Sequence, residues 1–239
     1  MSLFRADLHI HSCLSPCASL ENSPRAIAHH AKARGLQLVA LTDHNTALNA
    51  PAFASACRQE GIQALFGMEI TTREEVHALT LFPDAQTAVE AGNEVYERLK
   101  SGPFNPESFG DQIWVNDEEK IEGFLEKLLI LGTTDLSLDD LVPWAEQFGG
   151  ICIPAHIDRP VFGTLGVLGF LPPANFTAVE STTALDDTLT NQLPVIASSD
   201  AHELKDIGQR FFTFNASHPS FDALIHAFES KSISAHFCP

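Results

Sequence analysis

Strand-length apolar runs alternate with helical stretches at short spacing along this chain, and run after run ends on a histidine or an acid. Phe4 to His11 reads as a short strand running into a loop. Ser23 and Pro24 supply an N-cap and a first-turn proline for an Ala-rich helix over Arg25 to Arg34, which Gly35 ends. Leu36 to Leu41 is the next strand, with Thr42-Asp43-His44-Asn45 directly behind it. A second helix follows from about Pro51 to Glu60. A third strand, Ile62 to Phe66, ends at Gly67-Met68-Glu69, and a fourth, Val76 to Phe82, stops at Pro83. Such repetition implies a parallel sheet with crossover helices, an α/β fold. Polar residues after successive strands put a site at their carboxyl ends, in a barrel or in an open doubly wound sheet. The scatter of candidate ligands over most of the chain favours the closed barrel.

The stretch from Asp84 to about Gly132 is less regular, helical at both ends and broken at Gly102-Pro103-Phe104-Asn105-Pro106. The chain therefore reads as one domain over 1–239 with a helical or irregular insertion at about 84–135. Ser137-Leu138-Asp139-Asp140 is an acidic capping box opening a helix to Phe148. Ile151 to His156 is a buried strand running into a loop. Later strands are expected at Ala178–Glu180, Pro194–Ala197 and Phe211–Phe214, and a helix at about Phe221–Ser230.

His9 and His11 alternate with Leu8 and Ile10, so on extended chain they share a face. Asp7 falls on the same face, able to accept a hydrogen bond from a ligating imidazole. Alone, His-x-His is weak evidence. But Asp43-His44 ends the second strand, Glu69 the third, His77 lies on the fourth, His156 ends a later one, and Ser199-Asp200-Ala201-His202 repeats the alternation. Buried strand ends are poor places for such groups unless their polarity is compensated, and divalent cations would compensate all of them together. Mixed imidazole and carboxylate ligands suit Zn, Mn or Fe better than Mg or Ca. They are too many for one tetrahedral site, so a multinuclear site is the economical reading.

Taken together, Asp7-Leu8-His9-Ile10-His11-Ser12, Leu41-Thr42-Asp43-His44, Gly67-Met68-Glu69-Ile70, Pro154-Ala155-His156 and Ser199-Asp200-Ala201-His202 resemble the PHP (polymerase and histidinol phosphatase) superfamily, particularly its short stand-alone bacterial members. The resemblance implies a distorted (β/α)7 barrel with the metal site at the carboxyl ends of the strands, and a di- or trinuclear centre that hydrolyses phosphoesters. It implies that His9, His11, Glu69 and Asp200 hold one metal, His44 and His202 a second, and Glu69, His77 and His156 a third, with Glu69 bridging. Asp7 and Asp43 would support those ligands from behind. The family's further ligand after His-x-His falls where this chain has Cys17, whose thiolate would favour Zn or Fe over Mn. The alternative is a small buried cysteine and a metal short of one ligand.

Arg159, three residues past His156, is placed at the pocket rim, where a guanidinium could clamp phosphate; a salt bridge to Asp158 or another acid is the alternative. Arg73 and Lys205 are further candidates of that kind. The expected reaction is hydrolysis of a phosphate ester of a small molecule (a nucleotide, sugar phosphate or histidinol phosphate) by a metal-activated hydroxide. Asp200, His202 or a metal-bound water would protonate the leaving group. An amidohydrolase-like enzyme cleaving C–N bonds is a second reading, although no Lys stands at the end of a core strand to bridge metals. A catalytically silent metal-binding partner module is a third.

Charge adds a restriction. With 14 Lys+Arg against 31 Asp+Glu, a net −17, the surface should repel a long nucleic acid while bound cations still admit a small anionic substrate. The first residues lack a signal-peptide layout, and no apolar run approaches the ~20 residues of a membrane span. Cys13, Cys17, Cys57, Cys152 and Cys238, an odd and scattered set, suit a reducing compartment, so a cytoplasmic protein without a membrane partner is expected. His29, His30, His218, His226 and His236 read as surface or packing residues.

Overall fold

A computed structural model describes residues 1–237; Cys238 lies outside them. The first elements are β1 (Ser2–Asp7), α1 (Pro24–Ala33), β2 (Leu38–Leu41), α2 (Ala50–Glu60), β3 (Gln63–Thr71), β4 (His77–Phe82) and α3 (Ala85–Arg98). Then come α4 (Pro106–Phe109), β5 (Ile113–Val115), β6 (Ile121–Phe124), α5 (Leu138–Gln147), β7 (Ile151–Pro154) and α6 (Thr164–Leu168). The last are β8 (Val179–Glu180), β9 (Val195–Ile196), β10 (Phe211–Ala216), α7 (Phe221–Glu229) and β11 (Ile233–His236).

The helix signals act as the chemistry dictates. Ser23 accepts the Ala26 N–H at the start of α1, and Ser137 and Asp140 exchange both bonds of the capping box at α5. Gly61 closes α2 at φ 68°, a left-handed position costly for a side chain.

Seven strands form one sheet in the order β11-β10-β1-β2-β3-β4-β7, curled into a half-barrel. The fold is thus an α/β distorted barrel. β8 and β9 pair with each other, β8 against β7 and β9 against β11, and so stand between the two edges of the sheet. The sheet is mixed, where strand-helix repetition implied parallel strands throughout. β1, β2 and β3 are parallel, but β4 returns antiparallel to β3 and β10 antiparallel to β1. The reversal at β4 matters for the site. It sets Thr71 opposite His77, so His77 reaches the carboxyl end of β3 from the amino end of its own strand.

Alternate residues divide between two cores. Leu38, Ala40, Leu65, Leu81, Ile153, Phe212 and Phe214 meet inside the curl, where Leu224 and Phe228 of α7 join them. Val39, Leu41, Phe66 and Met68 face α1, α2, α3 and α5 outside. α3 belongs to this outer layer through Ala88, Ala91 and Val95, and the less regular stretch follows it after Leu99. Its centre is the β5–β6 hairpin. Among the described residues no helix is long and apolar enough to cross a membrane.

Candidate metal centre

The sequence folds so that six strand ends converge, those of β1, β2, β3, β4, β7 and β9. Backbone bridges Ile10–Ala201 and His44–Glu69 lock neighbouring ends together just past the regular ladder. Gly67 permits the approach of β4 beside Glu69, because a Cβ there would overlap the Thr80 carbonyl oxygen.

Glu69 is the hub. Its Oε1 lies 2.8 Å from His77 Nδ1, 2.9 Å from His156 Nε2 and 3.4 Å from His9 Nε2. Its Oε2 lies 3.1 Å from His44 Nδ1 and 3.4 Å from His11 Nε2. Asp200 Oδ1 stands 3.3 Å from His9 Nε2 and 3.2 Å from His11 Nε2. Three overlapping groups bring donor atoms within 4.8 Å of one another: His9, His11, Glu69 and Asp200; His11, His44 and His202; and His44, Glu69 and His77. His156 joins through Glu69. These donors fit divalent cations. His44 Nδ1 and Asp200 Oδ1, both facing the cluster, are buried without a well-formed hydrogen bond, each a cost of about 1–3 kcal/mol that a cation would remove.

Charge is balanced within the cluster. Burial pushes the Glu69 carboxyl up, but His77, His9 and His44 reverse this and hold it well below the usual carboxylate range. Asp200 is held down in the same way by His9 and His11. Burial lowers His11, yet the Asp200 and Glu69 carboxylates facing its ring raise it to about 9. Burial and the neighbouring His11 pull His202 down to about 4. Asp200 is ionised, and His202 is a neutral ring whose Nδ1–H donates to the Asp200 carbonyl at 2.9 Å, leaving Nε2 free to ligate.

The supporting residues differ from expectation at two places. Asp7 accepts the backbone N–H groups of Ser199 and Gly208, both at 3.0 Å, and bonds no imidazole. β1 ends at Asp7, so the alternation that would align it with His9 is not carried through. Asp43 acts through a hydroxyl: Ser15 Oγ donates to it at 2.7 Å and lies 3.1 Å from His11 Nδ1. Sequence reasoning missed Glu180, whose Oε2 stands 2.9 Å from His9 Nδ1. The signal was there, an acid ending a recognised strand.

A pocket of about 440 Å³ opens over Glu69, lined by Cys17, Thr71, Ile130, Leu131, Arg159 and Phe162 among others. Arg159 stands at its rim, 38% exposed, with Nη2 2.7 Å from Asp200 Oδ2; Asp158 instead accepts from Thr182 and Thr183. Cys17 is exposed at the mouth, in the same lining as His44 and His202, and belongs to none of the three donor groups. Arg73 and Lys205 pair with Glu74 and Glu203 on the surface, away from the pocket. The insertion supplies Ile130 to Thr133 as one wall, pinned by Asn45 Nδ2 donating to Leu129 O at 2.8 Å.

The PHP domain pattern matches residues 7–163, and a PHP-associated pattern matches residues 189–232. An uncharacterized protein of Methanocaldococcus jannaschii is 30% identical over 139 residues, covering 50% of this chain and 81% of its own. Among solved structures, the lesion-specific endonuclease Q of Pyrococcus furiosus superposes with TM-score 0.68 at 19% identity over 96% of this chain. This chain spans only 56% of that one. A Bifidobacterium adolescentis protein described as a candidate metal-dependent phosphoesterase superposes with TM-score 0.59 at 15% identity, covering 96% of both chains.

One expectation needs correction. Endonuclease Q has also been solved with a 27-mer duplex whose abasic lesion lies at the active site (TM-score 0.66, 19% identity, 57% of that chain spanned). This fold is therefore compatible with a long nucleic acid, and the net charge of −17 does not exclude one. Net charge sums the whole surface, whereas binding depends on the field beside the site, where cations dominate. From its matched pattern over residues 7–163, the chain belongs to the PHP domain family.

Proposed function

We propose that this chain hydrolyses phosphate esters with two or three divalent cations of the Zn, Mn or Fe type, held by His9, His11, His44, Glu69, His77, His156, Asp200 and His202. The observation that carries this reading is a buried carboxylate, Glu69, with five imidazoles 2.8–3.4 Å away, at the floor of a pocket whose rim bears a guanidinium. Bound cations would polarise water and neutralise phosphoryl charge.

The chain's own groups do the rest. Arg159 commits one nitrogen to Asp200 and keeps other N–H groups for a phosphoryl oxygen. Ile130, Leu131 and Phe162 wall off the site, and the volume suits a nucleotide-sized ester. A nucleotide, a sugar phosphate and histidinol phosphate are the candidates.

A second reading, a phosphodiester within duplex DNA, is motivated by the endonuclease Q complex. The test is a panel in Mn²⁺ or Zn²⁺: phosphomonoesters, a 27-mer duplex with an abasic lesion, and amides as controls. Turnover of a monoester supports the first reading, and cleavage of the duplex alone the second. Turnover of amides alone would make the chain a C–N hydrolase. No turnover by metal-loaded protein would leave the silent module.

A further inference from the structure

Glu180 is a buried carboxylate that ends β8 and touches neither pocket nor solvent; its exposure is 2%. One oxygen does two things at once. Glu180 Oε2 lies 2.9 Å from His9 Nδ1 and accepts the backbone N–H of His156 at 3.0 Å. The backbone carbonyl of the same residue accepts the Ile157 N–H at 2.9 Å, so Glu180 grips the turn after β7 at two successive amides. That turn needs holding. His156 sits at φ 29°, a conformation sparsely adopted by any residue with a side chain.

An ionised carboxylate only accepts, so the proton of His9 must be on Nδ1. Its other nitrogen, Nε2, then presents a lone pair to the space shared by His11, Glu69 and Asp200. His156 meanwhile places its Nε2 2.9 Å from Glu69 Oε1. Two ligand candidates from distant parts of the sequence, both facing Glu69 Oε1, are therefore held by a single oxygen.

We propose that Glu180 is the positioning residue of this metal centre, fixing the tautomer of His9 and the backbone of His156 so that both rings meet Glu69 together. This rests on the reading that the cluster holds cations. Glu180 adds no ligand. It adds a third buried negative charge beside Glu69 and Asp200, which increases the basicity of His9 toward a cation.

The test compares wild type with Glu180→Gln and Glu180→Ala. Gln keeps an acceptor oxygen for both N–H groups and removes only the charge; Ala removes the grip. Mn²⁺ or Zn²⁺ dissociation constants are measured by competition with a chromophoric chelator, with amide exchange at His156 and Ile157 and melting of the metal-free protein alongside. Binding should weaken about tenfold for Gln and about a hundredfold for Ala, with faster exchange at His156 in Ala alone. Dissociation constants within twofold of wild type in both variants would overturn the proposal, as would a lower melting point with unchanged binding. If Ala fails to fold, the Gln result decides. A wild-type protein that binds neither ion fails the underlying reading instead, and shows this before any variant is made.

Discussion

At one end of the barrel interior, Phe212, Phe214, Leu224 and Phe228 are 0–1% exposed; at the other, His9, His11 and Glu69 are just as hidden at 0–1%. Equal burial serves opposite purposes. Each large apolar side chain at the α7 end contributes about 1.5–3 kcal/mol by leaving water. The polar end pays desolvation instead and recovers it only because imidazoles and carboxylates face one another, or because a cation sits between them. Substitutions at the two ends should therefore fail differently. Glu69→Gln should fold, lose bound metal and reduce hydrolysis about a thousandfold, equivalent to about 4 kcal/mol of transition-state stabilisation. Phe228→Ala should cost about 3–5 kcal/mol in denaturant unfolding while the folded fraction keeps its full metal content. Identical phenotypes would break the comparison.

Acidity sharpens it further, since only the polar end titrates. His11 in the metal-free protein is raised to about 9, so below that pH a proton competes with the cation for its ring. Metal binding should accordingly strengthen as pH rises toward 9 and weaken as it falls. For one displaced proton, the apparent dissociation constant grows about a hundredfold from pH 8 to pH 6. A flat profile in a chelator-competition titration would show that His11 surrenders no proton and is not a ligand.

Smaller effects belong at the rim. Arg159→Ala should raise KM for a phosphomonoester about tenfold, with kcat and bound metal nearly unchanged, because a charge-assisted hydrogen bond contributes about 1.5–3 kcal/mol. A loss of metal instead would assign Arg159 to bracing Asp200, with which it pairs at 2.7 Å. Cys17, exposed and outside the donor groups, should react equally with iodoacetamide whether or not metal is present, and Cys17→Ser should keep full metal content. Protection of Cys17 by metal would restore it as a ligand.

The polar end was the more legible half in sequence. His9, His11, His44, Glu69, His156, Asp200 and His202 each follow an apolar run, a pattern that burial alone does not explain. Strand direction was not legible, because period-two alternation reads the same forwards and backwards. The β3–β4 reversal also hides its turn: its left-handed position is taken by Glu75 at φ 62° rather than by a glycine or asparagine. α3 was read as helical but as part of the insertion, because its core face of Ala88, Ala91 and Gly92 is small, sized for close approach to neighbouring backbone. Glu180 was visible as an acid ending a recognised strand, but its contact with His9, 171 residues away, was not, and the Ser15 link between Asp43 and His11 spans 28 residues, for which local spacing holds no signal.

Elemental analysis of protein purified without chelator tests the central claim most directly. If Glu69 is a hub whose surrounding donors exist for cations, each chain should carry at least two transition-metal ions, and a strong chelator should remove them. A content near zero, with no uptake on adding Mn²⁺ or Zn²⁺ to the folded protein, would contradict it and leave the histidine cluster as a self-compensating ion-pair core.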